Sequence, residues 1–274
     1  GFGGYPSYPS LSAARSMGLP IIIHEQNSVL GRVNRLFAKT AKYVACGFDR
    51  LDRLPLAAED RKKVVGNPVR NPIKAVRDRP YPELSDTGPL NILVTGGSQG
   101  ARLFGEVIPQ AIASLPEAQR ARLTVVQQAR EEQLEAVRAA YRAAGVKHTV
   151  ESFFSDMQDK LAAAHLVIAR SGAGTVTELA VAGRPAILIP LGIAMDDHQT
   201  ANAEGMVTGA AADVVPEPKF TADMLAPLLL ERISNAGVLR ARAKASWQLG
   251  KPNAARELAD LAEQAAGVTG KRDA

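Results

Sequence analysis

Short apolar runs alternate along this chain with amphipathic stretches, a pattern typical of alternating strands and helices. The apolar runs predict strands at residues 21–24, 43–47, 63–65, 91–95, 123–127, 148–153, 186–189 and 212–215, with one more that begins at Leu166. Helical periodicity predicts helices at residues 11–17, 31–40, 131–144, 157–164, 199–207 and 253–265, one that begins near Ala101, and two within residues 221–249. This alternation predicts an α/β fold of parallel sheets with helices on both faces.

Two breaks in the pattern divide the chain. Residues 71–89 contain four prolines and no sustained period, so we interpret them as a linker. A second break at residues 250–252 separates the last predicted helix from the unit before it. We therefore expect residues 1–70 to be the C-terminal part of a first domain, 71–250 a second domain, 251–266 a separate helix and 267–274 a frayed tail. Because the first five residues read as a loop with nothing before them, we expect the chain to begin inside a domain.

The composition of the 274-residue chain excludes several classes of protein. Its 46% hydrophobic and 22% charged residues are ordinary for a globular protein. The single cysteine, Cys46, excludes an intramolecular disulfide framework, and its place in a predicted strand indicates core packing. No apolar run approaches the ~20 residues of a membrane-spanning helix, and the N-terminus has no signal-peptide pattern.

Basic residues are concentrated in one part of the chain. Residues 32–79 hold thirteen Lys or Arg against five Asp or Glu. Within them, the predicted helix at 31–42 carries a set of basic and apolar side chains that could rest on anionic lipid headgroups. The alternative is a solvated helix face with a normal apolar stripe. Nucleic acid is not an expected partner, because aromatic residues make up only 5% and no recognition motif is visible. The set comprises Arg32, Arg35, Leu36, Phe37, Lys39 and Lys42.

A glycine-bearing turn connects the strand at Leu166 to a predicted helix. Gly172 and Gly174 allow a tight turn and leave room for a ligand beside the backbone. The N–H groups of the first helical turn are unpaired and carry partial positive charge, so an anion is favoured there. The alternative is a purely structural capping box in which Thr175 and Glu178 satisfy each other's backbone donors.

A second glycine-bearing turn follows the strand at residues 91–95. The segment GGSQGA at 96–101 lacks both the spacing of a dinucleotide fingerprint and the lysine of a P-loop. If both turns lie at the same sheet edge, they could hold two ends of a nucleotide, with Ser98 at a phosphate and Glu178 at two ribose hydroxyls. Ser98 could equally be an ordinary turn residue.

Polar clusters also follow other predicted strands, at residues 24–27, 66–70 and 196–202. The alternatives here are turn chemistry at residues 67–68 and helix capping by Asp196 and Asp197. Metal catalysis finds little support, since the chain has no Asp-x-Asp motif and its four histidines are scattered, and His148 and His165 look structural. A diphosphate leaving group would then be stabilised by helix N-termini and by a cation such as Arg70.

Taken together, five ordered clusters resemble the MurG family. They are HEQN at residues 24–27, GNPVR at 66–70, GGSQGA at 96–101, RSGAGTVTE at 170–178 and DHQTAN at 197–202. That family comprises the UDP-N-acetylglucosamine:N-acetylmuramyl-(pentapeptide) pyrophosphoryl-undecaprenol N-acetylglucosamine transferases of bacterial peptidoglycan synthesis. The resemblance implies a GT-B fold of two Rossmann-like parallel-sheet domains, the first incomplete here, with the helix at 251–266 returning to the first domain.

The resemblance also implies roles for individual residues. Asn27 and Gln199 would contact the sugar hydroxyls, Arg70 and Ser98 the diphosphate, and Glu178 the ribose. The backbone of Phe154 would read the uracil edge. The N–H cradle would be formed by Ala173, Gly174, Thr175, Val176 and Thr177, and the loop near the acceptor diphosphate by Gly3, Gly4 and Tyr5. His198 departs from the glutamine of some members, which leaves its role open.

The implied reaction is an inverting single displacement that needs no cofactor. The C4 hydroxyl of the muramyl sugar of lipid I attacks the anomeric carbon of UDP-N-acetylglucosamine, giving lipid II and UDP. The family's first glycine-rich loop, with the histidine often proposed as the base, has no counterpart in this sequence. His24 and Glu25 are the candidates that remain, and we favour them as organisers of the loop that carries Asn27 over a role as base.

The resemblance further implies a peripheral enzyme on the cytoplasmic face of the bacterial inner membrane, with other cell-wall synthesis and division proteins as partners. Two alternative functions stay open. One is a UDP-N-acetylglucosamine 2-epimerase, which uses the same architecture on the same donor. The other is a chain that binds the UDP-sugar without catalysis.

Overall fold

Two parallel sheets form the framework of the chain in a computed structural model that describes residues 1–97, 101–192 and 197–268. The first sheet has the strand order β1-β2-β3 and the second β6-β5-β4-β7-β8-β9, and every pairing is parallel. The strands are β1 (Ile22–Glu25), β2 (Tyr43–Cys46), β3 (Lys62–Val64), β4 (Leu90–Thr95), β5 (Leu123–Gln128), β6 (Lys147–Glu151), β7 (Leu166–Ala169), β8 (Ala186–Leu188) and β9 (Ala212–Val214).

Helices cover both faces of the second sheet. One core packs the sheet against α4 and α10, and another packs its opposite face against α7, α8 and α9. No helix of the described residues is both long and apolar enough to cross a membrane. The helices are α1 (Ser7–Ser16), α2 (Arg32–Ala38), α3 (Asn71–Val76), α4 (Arg102–Ala113), α5 (Glu117–Arg120), α6 (Leu134–Ala143), α7 (Met157–Ala163), α8 (Ala173–Ala182), α9 (His198–Thr208), α10 (Ala222–Ile233), α11 (Ala236–Leu249) and α12 (Ala254–Ala266).

The α/β alternation predicted from the hydrophobic pattern is confirmed, and most elements lie within a few residues of their predicted positions. Cys46 is fully buried, as predicted. The linker prediction for residues 71–89 is wrong at its start, because α3 occupies Asn71–Val76. Pro72 lies in the first turn, where a missing N–H costs nothing, and Ile73 and Val76 are buried.

The two sheets are connected by packing as well as by the chain. Helix α12 packs on the first sheet, where Leu261 joins Ala45 and Val65 in a small core. Between the sheets, the guanidinium of Arg50 pairs with the carboxylate of Glu204 on α9. The division into domains at residues 70, 250 and 266 stays a prediction.

Strand order decides which loops meet. Strands β4 and β7 are neighbours and run in parallel, so the turns that follow them emerge at one edge of the sheet. The turn after β4 begins at Gly96, the turn after β7 contains Gly172, and Gly174 lies in the first turn of helix α8. The described starts of the two glycine-bearing turns therefore lie at one edge, which is the condition for both to hold one nucleotide.

Candidate active site

Two cavities open at the carboxyl edge of the second sheet, one on each face. The smaller, of about 300 Å³, is lined by Arg70, Phe154 and Glu178. The larger, of about 630 Å³, is lined by Gln199 and by Arg170. Both are also lined by Gly97, Gly174 and Thr175, so they share the start of helix α8. Five of the residues assigned to the donor by resemblance border the smaller cavity, and Gln199 borders the larger one.

Helix α8 begins at Ala173, with Gly172 as an N-cap that has no side-chain hydrogen bond. The capping-box hypothesis is therefore wrong: Thr175 lies inside the helix and caps nothing. The N–H of Val176 donates to Gly172 O at 3.0 Å, so it is already used within the helix. The N–H groups of the first three helical residues have no intrahelical partner, and they form the anion-attracting end.

The predicted cradle must consequently be shortened. The side chain of Val176 is buried in the core beneath the sheet. Thr177 is also buried, and its Oγ1 donates to Ala173 O at 2.7 Å and accepts from Asn67 Nδ2 at 3.0 Å. Both residues hold the helix in place, and the cradle is reduced to Ala173, Gly174 and Thr175.

Arg70 and Glu178 meet across the mouth of the smaller cavity. Arg70 Nη2 donates to Glu178 Oε1 at 3.2 Å, with the arginine side chain 65% exposed and the carboxylate 24% exposed. An ion pair this exposed contributes little to stability. It leaves both charged groups within reach of a ligand: among the described residues Arg70 donates one hydrogen bond to this carboxylate, which can accept up to four.

Aromatic side chains close the other end of the smaller cavity. Phe154 is buried and Phe153 is exposed, and both line the cavity. Beneath them, Thr95 Oγ1 donates to Gln128 Oε1 at 3.0 Å, and Gln128 Nε2 donates to Ser152 O at 3.1 Å. These bonds connect the ends of β4 and β5 to the loop before Phe153, so they fix the backbone whose edge is predicted to face a base.

Asn27 approaches this edge from the first sheet. Its Oδ1 accepts from Asn202 Nδ2 at 3.1 Å, and Asn202 Oδ1 accepts from the N–H of Ser28 at 2.8 Å. Asn202 Nδ2 also donates to Ser171 O at 3.3 Å, in the turn before α8. One buried amide thus ties the Asn27 loop to the turn that opens the anion-attracting helix.

Glu25 organises the loop that carries Asn27. Its Oε1 accepts from the backbone N–H and the side-chain Nδ2 of Asn27, at 3.1 and 3.3 Å. Its Oε2 accepts from the N–H of Gly31 at 3.0 Å and from Asn34 Nδ2 at 2.8 Å. The buried carboxylate of Glu25 thus accepts four hydrogen bonds within the fold, and these contacts use its hydrogen-bonding capacity.

Both ring nitrogens of His24 also make hydrogen bonds within the fold. Its Nε2 lies 2.9 Å from Gly66 O, which can only accept, so Nε2 carries the proton. Its Nδ1 then accepts from Gln26 Nε2 at 3.2 Å. Burial lowers the pKa of His24, which favours this neutral form. Since the single lone pair of the ring already accepts a hydrogen bond from Gln26, we interpret His24 as a residue that positions the loop.

The loop assigned to the acceptor lies beside this histidine. The ring of Phe2 is 5.6 Å from that of His24, and Tyr5 is 87% exposed. Gly3 and Gly4 have φ of +73° and +69°, a region that favours glycine, and a Cβ on Gly3 would meet Asn34 Nδ2 at 2.9 Å. Ser98 and Asp196 lie outside the described residues.

Comparison with known proteins places the chain in a family. Residues 91–264 match the glycosyltransferase family 28 C-terminal domain, and residues 1–46 match its N-terminal domain. The UDP-N-acetylglucosamine–N-acetylmuramyl-(pentapeptide) pyrophosphoryl-undecaprenol N-acetylglucosamine transferase of Maricaulis maris is 55% identical over 259 residues, which are 94% of this chain and 70% of that protein. The protein of the same name from Caulobacter vibrioides is 52% identical over 97% of this chain and 73% of its own length. The chain belongs to the MurG family.

Solved structures agree with this placement. The crystal structure of Acinetobacter baumannii MurG superposes with a TM-score of 0.81 at 36% identity, over 96% of this chain and 73% of that one. A putative UDP-N-acetylglucosamine 2-epimerase from Listeria monocytogenes superposes with a TM-score of 0.67 at 15% identity, over 98% and 74%. At that identity the second likeness shows the fold alone, which is the GT-B fold expected of a MurG-family chain.

The predicted lipid-facing surface of this MurG-family chain needs one correction. Phe37 was predicted on the exposed face, but it is fully buried in the core of the first sheet, beneath the guanidinium of Arg15. For Phe37 the alternative of an ordinary apolar stripe is right. Leu36 is 60% exposed, and Lys42 Nζ donates to the carbonyls of Gln264 and Ala265 at the end of α12.

Three polar residues at the MurG-type site received no role from the sequence. Asn202 lay within a quoted cluster without an assigned contact, and Gln128 ends a strand whose polar end was overlooked. Glu217 accepts from Arg170 Nη1 at 2.7 Å and from the N–H of Gly192 at 3.0 Å, which fixes the loop after β8. The strand-end argument that singled out residues 66–70 would also have found Gln128. Among the described residues, no group of three or more His, Cys, Asp or Glu side chains is placed to hold a metal ion.

Proposed function

We propose that this MurG-family chain transfers N-acetylglucosamine from UDP-N-acetylglucosamine to the C4 hydroxyl of the muramyl sugar of lipid I, in peptidoglycan synthesis. The observation that carries the proposal is the Arg70–Glu178 pair beside the open first turn of α8. Asn27 approaches the same turn from the other sheet. Binding of a nucleoside diphosphate sugar requires this combination: a hydrogen-bond acceptor for the ribose hydroxyls, a set of N–H donors for the phosphates and a contact to the sugar.

The geometry suits a donor that runs along the shared edge. The nucleoside lies in the smaller cavity, with Glu178 accepting from the ribose hydroxyls and the Phe154 backbone facing the base. The diphosphate lies at Ala173, Gly174 and Thr175, near Arg70. The sugar extends toward Asn27 and Gln199. Gln199 Oε1 accepts from the N–H of Leu191 at 3.0 Å, which leaves its amide N–H₂ to donate to a sugar hydroxyl.

The reaction is a single displacement. The acceptor C4 oxygen forms a bond to the anomeric carbon while the bond from that carbon to the β-phosphate oxygen breaks, and its electron pair leaves with UDP. The start of α8 and the guanidinium of Arg70 stabilise the charge that develops on the diphosphate. The hydroxyl proton passes to a base that we leave unassigned. His24 and Glu25 act as positioning residues, because their lone pairs are engaged within the fold.

The experiment that tests the transfer supplies the chain with UDP-N-acetylglucosamine and lipid I. We expect UDP release that depends on the acceptor and a β-linked disaccharide at C4, measured by mass spectrometry and NMR. Epimerised UDP-sugar formed without acceptor would overturn the transfer in favour of the 2-epimerase. Donor binding with no product in either arm would overturn it in favour of a binding chain.

We also propose that the chain acts as a peripheral protein at the cytoplasmic face of the inner membrane, with α2 facing anionic lipid. Arg32, Arg35 and Lys39 on or next to α2 are partly or fully exposed around Leu36. Each such basic residue contributes about 1 kcal/mol near an anionic surface. Lys42 Nζ, the fourth predicted cation, is engaged by two carbonyls at the end of α12.

Charge reversal on α2 should reduce binding to anionic vesicles. We expect R35E/K39E to lower sedimentation with phosphatidylglycerol vesicles about tenfold or more, because two attractive charges become repulsive. The control, K147E/K219E, reverses two exposed lysines of the second sheet region and should bind as wild type does. Equal binding by all three proteins would contradict the lipid surface and leave the transfer reaction untouched.

A further inference from the structure

A cavity of about 690 Å³ lies at the amino edge of the second sheet, opposite the candidate active site. One wall is formed by Arg77 and residues 79–84, in the segment that leads into β4, and the other by helix α11. Arg184, in the floor, lies two residues before the start of β8. Because β7 and β8 run from this edge to the donor edge, the cavity shares no lining residue with either cavity there.

The lining of this cavity is strongly cationic. Five cations surround it, Arg77, Arg79, Arg184, Arg240 and Lys244, against a single lining carboxylate, Glu83. Arg79 has an outside partner, Asp159, at 3.1 Å. The others have no carboxylate partner among the described contacts. A concave surface with charge of one sign concentrates the potential inside it.

Two of these cations are held in place by backbone carbonyls. Arg77 Nη1 donates to Val181 O and Trp247 O, at 3.3 and 2.9 Å, and its guanidinium lies 3.9 Å from the centre of the Trp247 ring. Arg184 is 2% exposed and donates to carbonyls alone. Such contacts orient a guanidinium without neutralising it, so the positive charge remains to be compensated.

The remaining two cations are exposed and lie one helical turn apart. Arg240 and Lys244 are four residues apart on α11, so they project from the same face. Arg240 Nη1 donates to Leu84 O at 2.6 Å, across the cavity. Like charges at this spacing repel each other, and an anion between them would remove the repulsion.

We propose that this cavity binds a compact anion with phosphate groups, at a second site separate from the donor site. The exposed Arg240 and Lys244 can donate to the oxygens of a phosphate group, and the buried guanidinium of Arg184 and that of Arg77 add positive charge behind them. The volume falls within the range of about 300–1,000 Å³ that is usual for small-molecule sites. The phosphate groups come either from a free oligophosphate or from a lipid headgroup.

Calorimetry with tripolyphosphate tests the site, with saturating UDP present to occupy the donor edge. We expect wild type to bind one further anion, and R240Q/K244Q to bind it about tenfold or more weakly, because two of the cations that concentrate the potential are lost. Both side chains are exposed, so the fold should persist, which thermal unfolding checks. UDP affinity should not change.

The matched control, K147Q/R256Q, removes the same two charges from exposed positions outside the cavity and should bind as wild type does. No binding by wild type, or an equal loss in both double variants, would overturn the proposal. K244Q alone should give an intermediate loss. A second measurement uses phosphatidylglycerol vesicles. If R240Q/K244Q binds these vesicles more weakly than wild type and the control variant do, the ligand is a lipid headgroup. If R240Q/K244Q loses affinity for tripolyphosphate but not for vesicles, the ligand is a free anion.

Discussion

The E178A variant should bind UDP-N-acetylglucosamine about a hundredfold more weakly than wild type. Two charge-assisted hydrogen bonds to the ribose hydroxyls would be lost, each contributing about 1.5 kcal/mol or more, and about 2.7 kcal/mol corresponds to a factor of a hundred. Calorimetry with UDP and with 2′-deoxy-UDP isolates the ribose contact. Wild type should discriminate between the two ligands, and E178A should not.

Two further variants separate this contact from general effects of charge. E178Q keeps an acceptor and loses the charge, so its affinity should lie between the other two. E106A removes an exposed carboxylate that lines the larger cavity and pairs with Arg102, and it should bind UDP as wild type does. If wild type and E178A discriminate equally between UDP and 2′-deoxy-UDP, the assignment of Glu178 to the ribose is wrong.

The R184M variant should lose about 3–5 kcal/mol of unfolding free energy. Arg184 Nε and Nη2 donate to Leu161 O and Ala162 O near the end of α7, at 2.6 and 3.0 Å, and Nη1 donates to Ala182 O and Gly183 O at the end of α8. Methionine fills much of the space but leaves these buried carbonyls without a donor. Burial lowers the pKa of the guanidinium to about 10, so the charge persists at neutral pH.

Chemical denaturation measures the loss, which corresponds to a fall of about 10 °C in Tm. R184K keeps the charge but cannot reach both helix ends with a planar fork, so we expect a smaller loss of about 2 kcal/mol. R256M, on the exposed face of α12, is the control and should be neutral. A near-neutral R184M would show that water replaces the arginine at these carbonyls.

The sequence predicted a binding site at the carboxyl edge of the second sheet because the ends of its strands can be recognised in the sequence. Apolar runs that stop at polar clusters mark the carboxyl ends of parallel strands, and parallel strands bring those ends together. Arg70 and Glu178 are 108 positions apart, yet both were expected at one site and they contact each other. The α/β alternation followed from the same pattern.

The features that could not be predicted from the sequence depend on packing and on local geometry. Phe37 and Leu36 are neighbours on one helix, and only the docking of α2 on the first sheet decides which is buried. Thr175 and Glu178 have the spacing of a capping box, but the N-cap lies three residues earlier, at Gly172. Arg184 gave no signal, since its partners are carbonyls, which every residue has.

In the proposed donor site the first turn of α8 meets the diphosphate through main-chain N–H groups, so few point mutations could remove that contact. Among single substitutions, proline is the one that removes a backbone N–H. In the same proposal, selectivity for the sugar nucleotide depends on a few side chains, Glu178, Asn27 and Gln199 among them. Sequence drift should therefore change which sugar nucleotide is accepted long before it abolishes the ability to hold a diphosphate, which makes the fold a durable starting point for new donor preferences.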